Sequence, residues 1–150
     1  MLFRSVDVHG KTLTLQQAAN YLRQQDRDLR EEVYFKISNR RLLDREKLDE
    51  LFNELLQYRD RIAKNAGFEN YRDYKFVELD RFDYTPADCS DFHNSVQQEI
   101  VPIVNNMLKK RKEELKVDAL YPWDLEVDPS GKPELKPFKT GHELTKKTIE

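Results

Sequence analysis

The sequence predicts an all-α (mainly α) chain of long amphipathic helices, with a small N-terminal β-hairpin and an irregular proline-rich segment near residues 119–138. Apolar residues recur at helical spacing along most of the 150 residues. Only four glycines and six prolines are present, which is few for the turns of a sheet-rich fold. The chain is 38% hydrophobic and 36% charged. This composition is polar for a compact domain, so either the helices are elongated or part of their buried surface belongs to a partner.

The first predicted elements are a hairpin and a long helix. Residues 6–13 alternate apolar and polar around His9-Gly10, and glycine tolerates the positive φ of a tight turn, so a hairpin is expected here. Thr14 and Gln17 have capping-box spacing. One long helix is predicted from Thr14, with the ion pairs Asp26/Arg30 and Arg27/Glu31 outside its apolar stripe. That stripe contains Leu15, Ala18, Leu22, Leu29, Val33 and Ile37.

A second helix is predicted between residues 44 and 67. Asp44 is a favourable N-cap residue, and Gly67 can adopt the left-handed conformation that ends many helices. A short helix from Asn70 to about Val77 is expected to follow. The apolar face of the second helix contains Leu48, Leu51, Phe52, Leu55, Leu56, Ile62, Ala63 and Ala66.

A further long helix is predicted to begin at Thr85-Pro86 and to end near Lys116. Threonine caps the first turn, and proline at the first helical position loses only an unpaired N–H. Pro102 removes one hydrogen bond inside this helix, so a bend is expected there. The apolar stripe of this helix contains Cys89, Phe92, Val96, Ile100, Ile103, Met107 and Leu115.

The helical pattern stops after residue 116. Prolines interrupt the segment 119–138, and residues 128–131 (Asp-Pro-Ser-Gly) are typical of a type I turn. The stretches 125–127 and 134–136 could pair across that turn. Thr140 and Glu143 form a second capping box, which predicts a last helix from about Gly141. That helix reaches Glu150 without a termination signal, so residues 1–150 are expected to be a single helical segment of a larger protein.

Charge and cysteine content restrict the function and the compartment. The net charge of −2, from 26 basic and 28 acidic residues, gives no excess of positive charge to bind nucleic acid. No apolar run is long enough for a signal-peptide core or a membrane span. The single cysteine, Cys89, excludes an intramolecular disulfide. A soluble, cytoplasmic protein is therefore expected.

The block Tyr58–Tyr74, continued by Leu79–Thr85, resembles the region ahead of the zinc motif in oligoendopeptidase F and related thimet-oligopeptidase-like metallopeptidases. The resemblance implies a nearly all-helical peptidase that cleaves short peptides in a deep channel. Zinc in that family is held by the two histidines of an HExxH helix and a later glutamate. Weaker similar pieces occur in the same order at Gly10–Thr14, Asp26-Arg27 with Arg30-Glu31, Val101-Pro102, Tyr121–Asp124, and Lys136–Phe138 with Thr140-Gly141.

The matched segment lies upstream of the zinc helix, so the resemblance assigns this chain no catalytic, cofactor-binding or metal-binding residue. Only His9, His93 and His142 are present, and no two are four residues apart. His142-Glu143 is the one HE pair, but Lys146 occupies the position of the second histidine, and an ammonium group does not ligate zinc. The pair is therefore interpreted as the first turn of the last helix.

Three other groups have a structural and a functional interpretation. Cys89 and His93 could form half of a metal site, but a buried cysteine beside a surface histidine is favoured. Residues 109–112 (Lys-Lys-Arg-Lys) could bind nucleic acid or anionic lipid, but cations near a helix C-terminus also offset the helix dipole, which is favoured. Six aromatic residues could line a peptide groove, but helix packing is favoured. They are Phe68, Tyr71, Tyr74, Phe76, Phe82 and Tyr84.

The leading hypothesis is a structural segment of a zinc metallopeptidase, which forms part of the channel wall and is inactive alone. Its partners would be the remainder of the parent peptidase and, for that parent, short peptides and zinc. The alternative is a freestanding helical interaction module derived from such an enzyme. In either case, exposed apolar helix faces are expected to drive self-association.

Overall fold

A computed structural model describes residues 4–132 and 137–149. The predicted mainly α fold class is confirmed, with one two-stranded sheet in the described part. The elements are β1 (Ser5–Val8), β2 (Lys11–Thr14), α1 (Leu15–Ala19), a 3₁₀ turn (Asn20–Arg23), α2 (Arg27–Leu42), α3 (Arg45–Asn65), α4 (Tyr71–Glu78), α5 (Pro86–Ser95), a π-helical turn (Val96–Ile100), α6 (Val101–Leu115), a second 3₁₀ turn (Pro122–Asp124) and α7 (Gly141–Ile149).

The hairpin and α1 form a small core with α2. Strands β1 and β2 pair antiparallel, with Val8 opposite Lys11. The turn places His9 at φ 51° and Gly10 at φ 75°, so the predicted hairpin is confirmed. Alternation in β1 turns Val8 toward the helices, where it is completely buried. The buried core residues are Val8, Leu15, Ala18, Val33 and Ile37.

The prediction of one long helix from Thr14 to Ile37 is wrong. The Thr14–Gln17 capping box is present, but the helix stops after α1 and the chain becomes extended at Gln24. Asp26 then starts α2, because its side chain accepts a hydrogen bond from the Leu29 N–H at 3.1 Å. Asp26 is therefore an N-cap and not the surface partner of Arg30.

Helix α3 begins and ends near the predicted residues. Asp44 occupies the N-cap position, but its carboxylate pairs with Arg40 and Arg4 at 2.9 and 2.8 Å and caps no backbone N–H. At the other end, Gly67 adopts φ +83°, and the Phe68 N–H donates to the Ala63 carbonyl at 2.9 Å. The predicted left-handed conformation of Gly67 is confirmed, and the hydrogen bond is that of a Schellman motif.

Replacing Gly67 with alanine is expected to destabilise the α3 terminus by about 1 kcal/mol, because a Cβ is disfavoured at positive φ even where space is open. Thermal unfolding followed by circular dichroism measures this effect. Gly141→Ala is the matched control, since Gly141 lies in the first turn of α7 with no positive φ. The explanation fails if both variants melt alike.

The predicted short helix α4 is present and is capped by Asn70, whose side chain accepts from the Asp73 N–H at 3.0 Å. The favoured packing interpretation of the aromatic residues agrees with edge-on ring contacts at 5.7 Å between Phe68 and Tyr74 and between Phe76 and Tyr84. Phe82 differs, because 73% of it is exposed.

Helix α5 starts at Pro86 with Thr85 as its N-cap, as predicted, and the structure adds Asp88 as the second member of a capping box. A bend is expected at Pro102, and the structure has a π-helical turn over Val96–Ile100, which ends two residues before the proline. Pro102 has no N–H to donate to the Gln98 carbonyl, which lies inside this turn. The rod of α5, the π turn and α6 ends at Lys116, which adopts φ 54°.

The segment after α6 is irregular, as predicted. The turn at residues 128–131 is confirmed by the Gly131 N–H, which donates to the Asp128 carbonyl at 3.2 Å. Residues 125–127 form no strand, and their expected partner, 134–136, lies outside the described residues. Helix α7 begins at Gly141 as predicted. Only half of its capping box is present, because Glu143 accepts from the Lys139 N–H at 2.7 Å.

Candidate functional site

The most enclosed polar group in the described part of the chain is the carboxylate of Asp124, which is completely buried. Arg30 donates to its Oδ1 at 2.9 Å, and Arg27 donates to Oδ1 and Oδ2 at 3.0 and 2.9 Å. Burial alone raises the pKa of this carboxyl. The hydrogen bonds from Arg27 and Arg30 outweigh that effect and lower the pKa from 3.8 to about 2. Asp124 is therefore a charged group with two cationic partners.

Arg30 is also buried and uses its remaining donors on backbone carbonyls. Its Nε donates to the Trp123 carbonyl at 2.8 Å, and its Nη1 donates to the carbonyls of Gln24 and Gln25 at 2.9 Å each. These contacts explain why the chain is not helical between α1 and α2, since the carbonyls at residues 24 and 25 bind a side chain. Four of the five N–H donors of Arg30 are thus engaged within the protein, which makes it a structural residue.

The basic cluster 109–112 contains a residue with a further role. Arg111 is half-buried, and its Nε donates to the Asp124 carbonyl at 2.9 Å. Its Nη2 donates to the Val127 carbonyl. Arg111 therefore attaches α6 to the same loop that Arg27 and Arg30 bind from α2.

An aromatic group lies beside Asp124 and its arginine partners. The rings of Tyr121 and Trp123 stack at 4.7 Å with an interplanar angle of 4°, and Trp123 also contacts Tyr34 and Phe35 at 5.4 Å. Trp123 is buried, whereas Phe35 and Tyr121 are about half exposed. The group covers one side of the contact between α2 and residues 121–124, and its rings Phe35 and Tyr121 remain partly exposed.

The three histidines lie in different elements: His9 in the hairpin turn, His93 in α5 and His142 in α7. The His9 Nε2 lies 3.8 Å from a carboxylate oxygen of Glu32 in α2. His93 is exposed, and Cys89 is half-buried, so the expected burial of that thiol is only partial. In α7, Glu143 pairs with Lys147 at 2.8 Å.

A tetrahedral zinc site does not fit the residues that the structure describes. Residues 4–132 and 137–149 contain no group of three or more His, Cys, Asp or Glu side chains that could hold a metal ion. The same ranges contain no helix long and apolar enough to span a membrane.

Two helix faces are apolar and uncovered. Both follow the i, i+3, i+4, i+7 spacing of a packing face, yet each large side chain in them is between 36% and 56% exposed, apart from Met107 at 66%. The α3 face contains Leu48, Leu51, Phe52, Leu55, Leu56 and Ile62. The second face, called the α6 face, contains Ile103, Val104, Met107 and Leu108 of α6 and Ile100 at the end of the π turn.

The comparison with protein families gives a match to the family described as peptidase family M3, over residues 20–148. The chain belongs to peptidase family M3. The resemblance to oligoendopeptidase F that the central block of the sequence carries is thereby confirmed. A comparison with curated protein sequences found no match.

Solved structures give the same assignment for this M3 chain. An X-ray structure assigned as oligoendopeptidase F is 26% identical, with a TM-score of 0.84 over 91% of the chain. A protein assigned as oligoendopeptidase F from Bacillus anthracis str. Ames is 25% identical, with a TM-score of 0.79 over 87%. PZ peptidase A with an inhibitor is 27% identical, with a TM-score of 0.84 over 91%. The M3 chain spans 24% of the length of each.

Sequence reasoning missed the role of Arg30 and Asp124 in this M3 chain, although one signal was available. Arg30 lies three and seven residues before Val33 and Ile37, and therefore on the buried face of α2. A charged residue at such a position indicates a buried partner. The two pieces of resemblance at residues 26–31 and 121–124 contain that pair, and the structure brings them together.

Proposed function

We propose that this chain is a scaffold segment of an M3 peptidase that cleaves short peptides. It supplies shape to the channel wall and to the approach to the catalytic part. Family membership over residues 20–148 and the 24% share of each solved relative support the proposal. The observation that carries it is the pair of uncovered apolar faces on α3 and α6, because apolar faces of that extent normally pack against more protein.

Under this proposal, the partner of both faces is the remainder of the peptidase. Zinc, held by residues outside this chain, would activate a water for peptide hydrolysis in the whole enzyme. Asp124 and its partners Arg27, Arg30 and Arg111 contribute by fixing α2 and α6 to one loop. They take no part in the chemistry. A cytoplasmic location is proposed from the single cysteine.

Residues 1–150 alone are expected to show no hydrolysis of a quenched fluorescent oligopeptide, with or without added zinc, because they contain no HExxH motif. A complete oligoendopeptidase F, assayed in parallel, shows that the substrate is cleavable. Cleavage by contaminant-free protein that a chelator abolishes would overturn the proposal.

The same exposed faces are compatible with a freestanding interaction module, and the coding sequence separates the two functions. An open reading frame that continues past Glu150 and contains HExxH supports the scaffold segment. A stop codon directly after Glu150 supports the module.

A further inference from the structure

We infer that residues 117–128 form a strap that fixes α6 to α2, and that this strap releases from α6 before it releases from α2. Arginine side chains attach the strap to both helices: Arg27 and Arg30 from α2, and Arg111 from α6. The two attachments differ in charge and burial. The inference concerns how two helices are held in residues 1–150 taken alone, with no further protein on the apolar α6 face.

The attachment to α2 is ionic and buried. Asp124 is completely buried and Arg30 is 3% exposed, and their atoms lie 2.9 Å apart. Arg27 adds a second cation, and the Arg27 Nη2 lies 3.4 Å from the Ala119 carbonyl. Opening this side would leave a carboxylate and a guanidinium without partners in a low-dielectric environment, which is costly.

The attachment to α6 is made to uncharged acceptors. Arg111 donates to the carbonyls of Asp124 and Val127, and Leu120 lies beside Leu108 and Lys112 around a shallow surface cavity. The acceptor residues Asp124 and Val127 are buried, but the donor Arg111 is only half-buried, so water can replace the carbonyls as partners of its guanidinium. Opening this side therefore leaves no buried carboxylate without its cationic partners.

Helix α6 has little else to hold it. Among the described elements, α6 packs extensively on the π turn that precedes it. No described helix outside α5, the π turn and α6 packs closely on it. Arg111 is thus the main side chain that sets the position of α6 relative to α2. Release of this one attachment lets the apolar α6 face move while the strap stays on α2, as expected for an opening unit of low local stability.

Spin labels on cysteines introduced at the exposed residues Asn39 and Asn106 measure the separation of α2 and α6, in a chain that also carries Cys89→Ser. Trp123, the single tryptophan, reports the α2 attachment through its fluorescence. Arg111→Met is expected to broaden the label–label distance distribution and shift it to longer distances, while the emission maximum of Trp123 and its unfolding midpoint stay near those of the unchanged chain.

Lys109→Met is the matched control, because it removes a neighbouring cation of α6 that makes no contact with the strap carbonyls. It is expected to leave both signals unchanged. The inference is overturned if Arg111→Met leaves the distance distribution unchanged, if Lys109→Met broadens it equally, or if Arg111→Met also shifts the Trp123 emission to that of the unfolded chain. The last outcome would mean that the two attachments open together.

Discussion

Replacing Asp124 with alanine is expected to lower the free energy of unfolding by about 3–5 kcal/mol, the usual cost of removing one partner from a buried ion pair. The change leaves the buried guanidinium of Arg30 without a carboxylate, and it removes the charge that Arg27 binds from the edge. Urea unfolding followed by Trp123 fluorescence measures the loss. Asp118→Ala, at an exposed residue of the same segment, is expected to change stability by less than about 0.5 kcal/mol.

Asp124→Asn adds a pH test and keeps the side-chain shape if the alanine variant does not fold. The folded-state pKa of Asp124, about 2, lies below its ordinary value of 3.8. The stability that this charge contributes is therefore complete above pH 3.8 and is lost as the pH falls toward 2. The difference in stability between the unchanged chain and Asp124→Asn should shrink across that interval. A difference that stays constant from pH 5 to pH 2 would contradict the assignment.

Replacing Leu48 and Leu55 with glutamate is expected to weaken self-association of the isolated chain at least tenfold. Each leucine that becomes buried in an association contributes about 1.5–3 kcal/mol, and two glutamates add repulsion on the same face. The free energy of unfolding should change little, because 48% of Leu48 and 40% of Leu55 are already exposed. Sedimentation equilibrium measures the association constant.

The matched control replaces Asn53 and Gln57 with glutamate, which adds the same charge to the opposite face of α3. That variant should associate like the unchanged chain. Equal weakening by both variants would show that net charge, and not the apolar face, determines association. A chain that is monomeric at all concentrations would contradict the prediction outright.

Helix boundaries could be predicted where the signal is local. The caps Thr85 and Asn70 and the terminating residue Gly67 were predicted correctly, and each makes its hydrogen bond within five residues along the chain. Local hydrogen bonds between a side chain and the backbone depend on sequence spacing alone, so no knowledge of the rest of the fold is needed.

The break between α1 and α2 could not be predicted in the same way, because its cause lies far along the chain. The carbonyls at residues 24 and 25 leave the helix to bind Arg30, and Arg30 is held in place by Asp124, 94 residues later. Asp26 and Arg30 also have the spacing of an ordinary surface pair, which gave a plausible but wrong interpretation. Tertiary contacts overrode the local pattern here.

The separation between Arg30 and Asp124 has a kinetic consequence. Helices α3 to α6 can form from local contacts in microseconds, but the N-terminal core acquires Trp123 and Asp124 only after a loop of about 90 residues closes. Closure of that loop is expected to be the slow step of refolding. During synthesis, the hairpin, α1 and α2 would leave the ribosome several seconds before their C-terminal partner, with Arg30 solvated until the loop arrives.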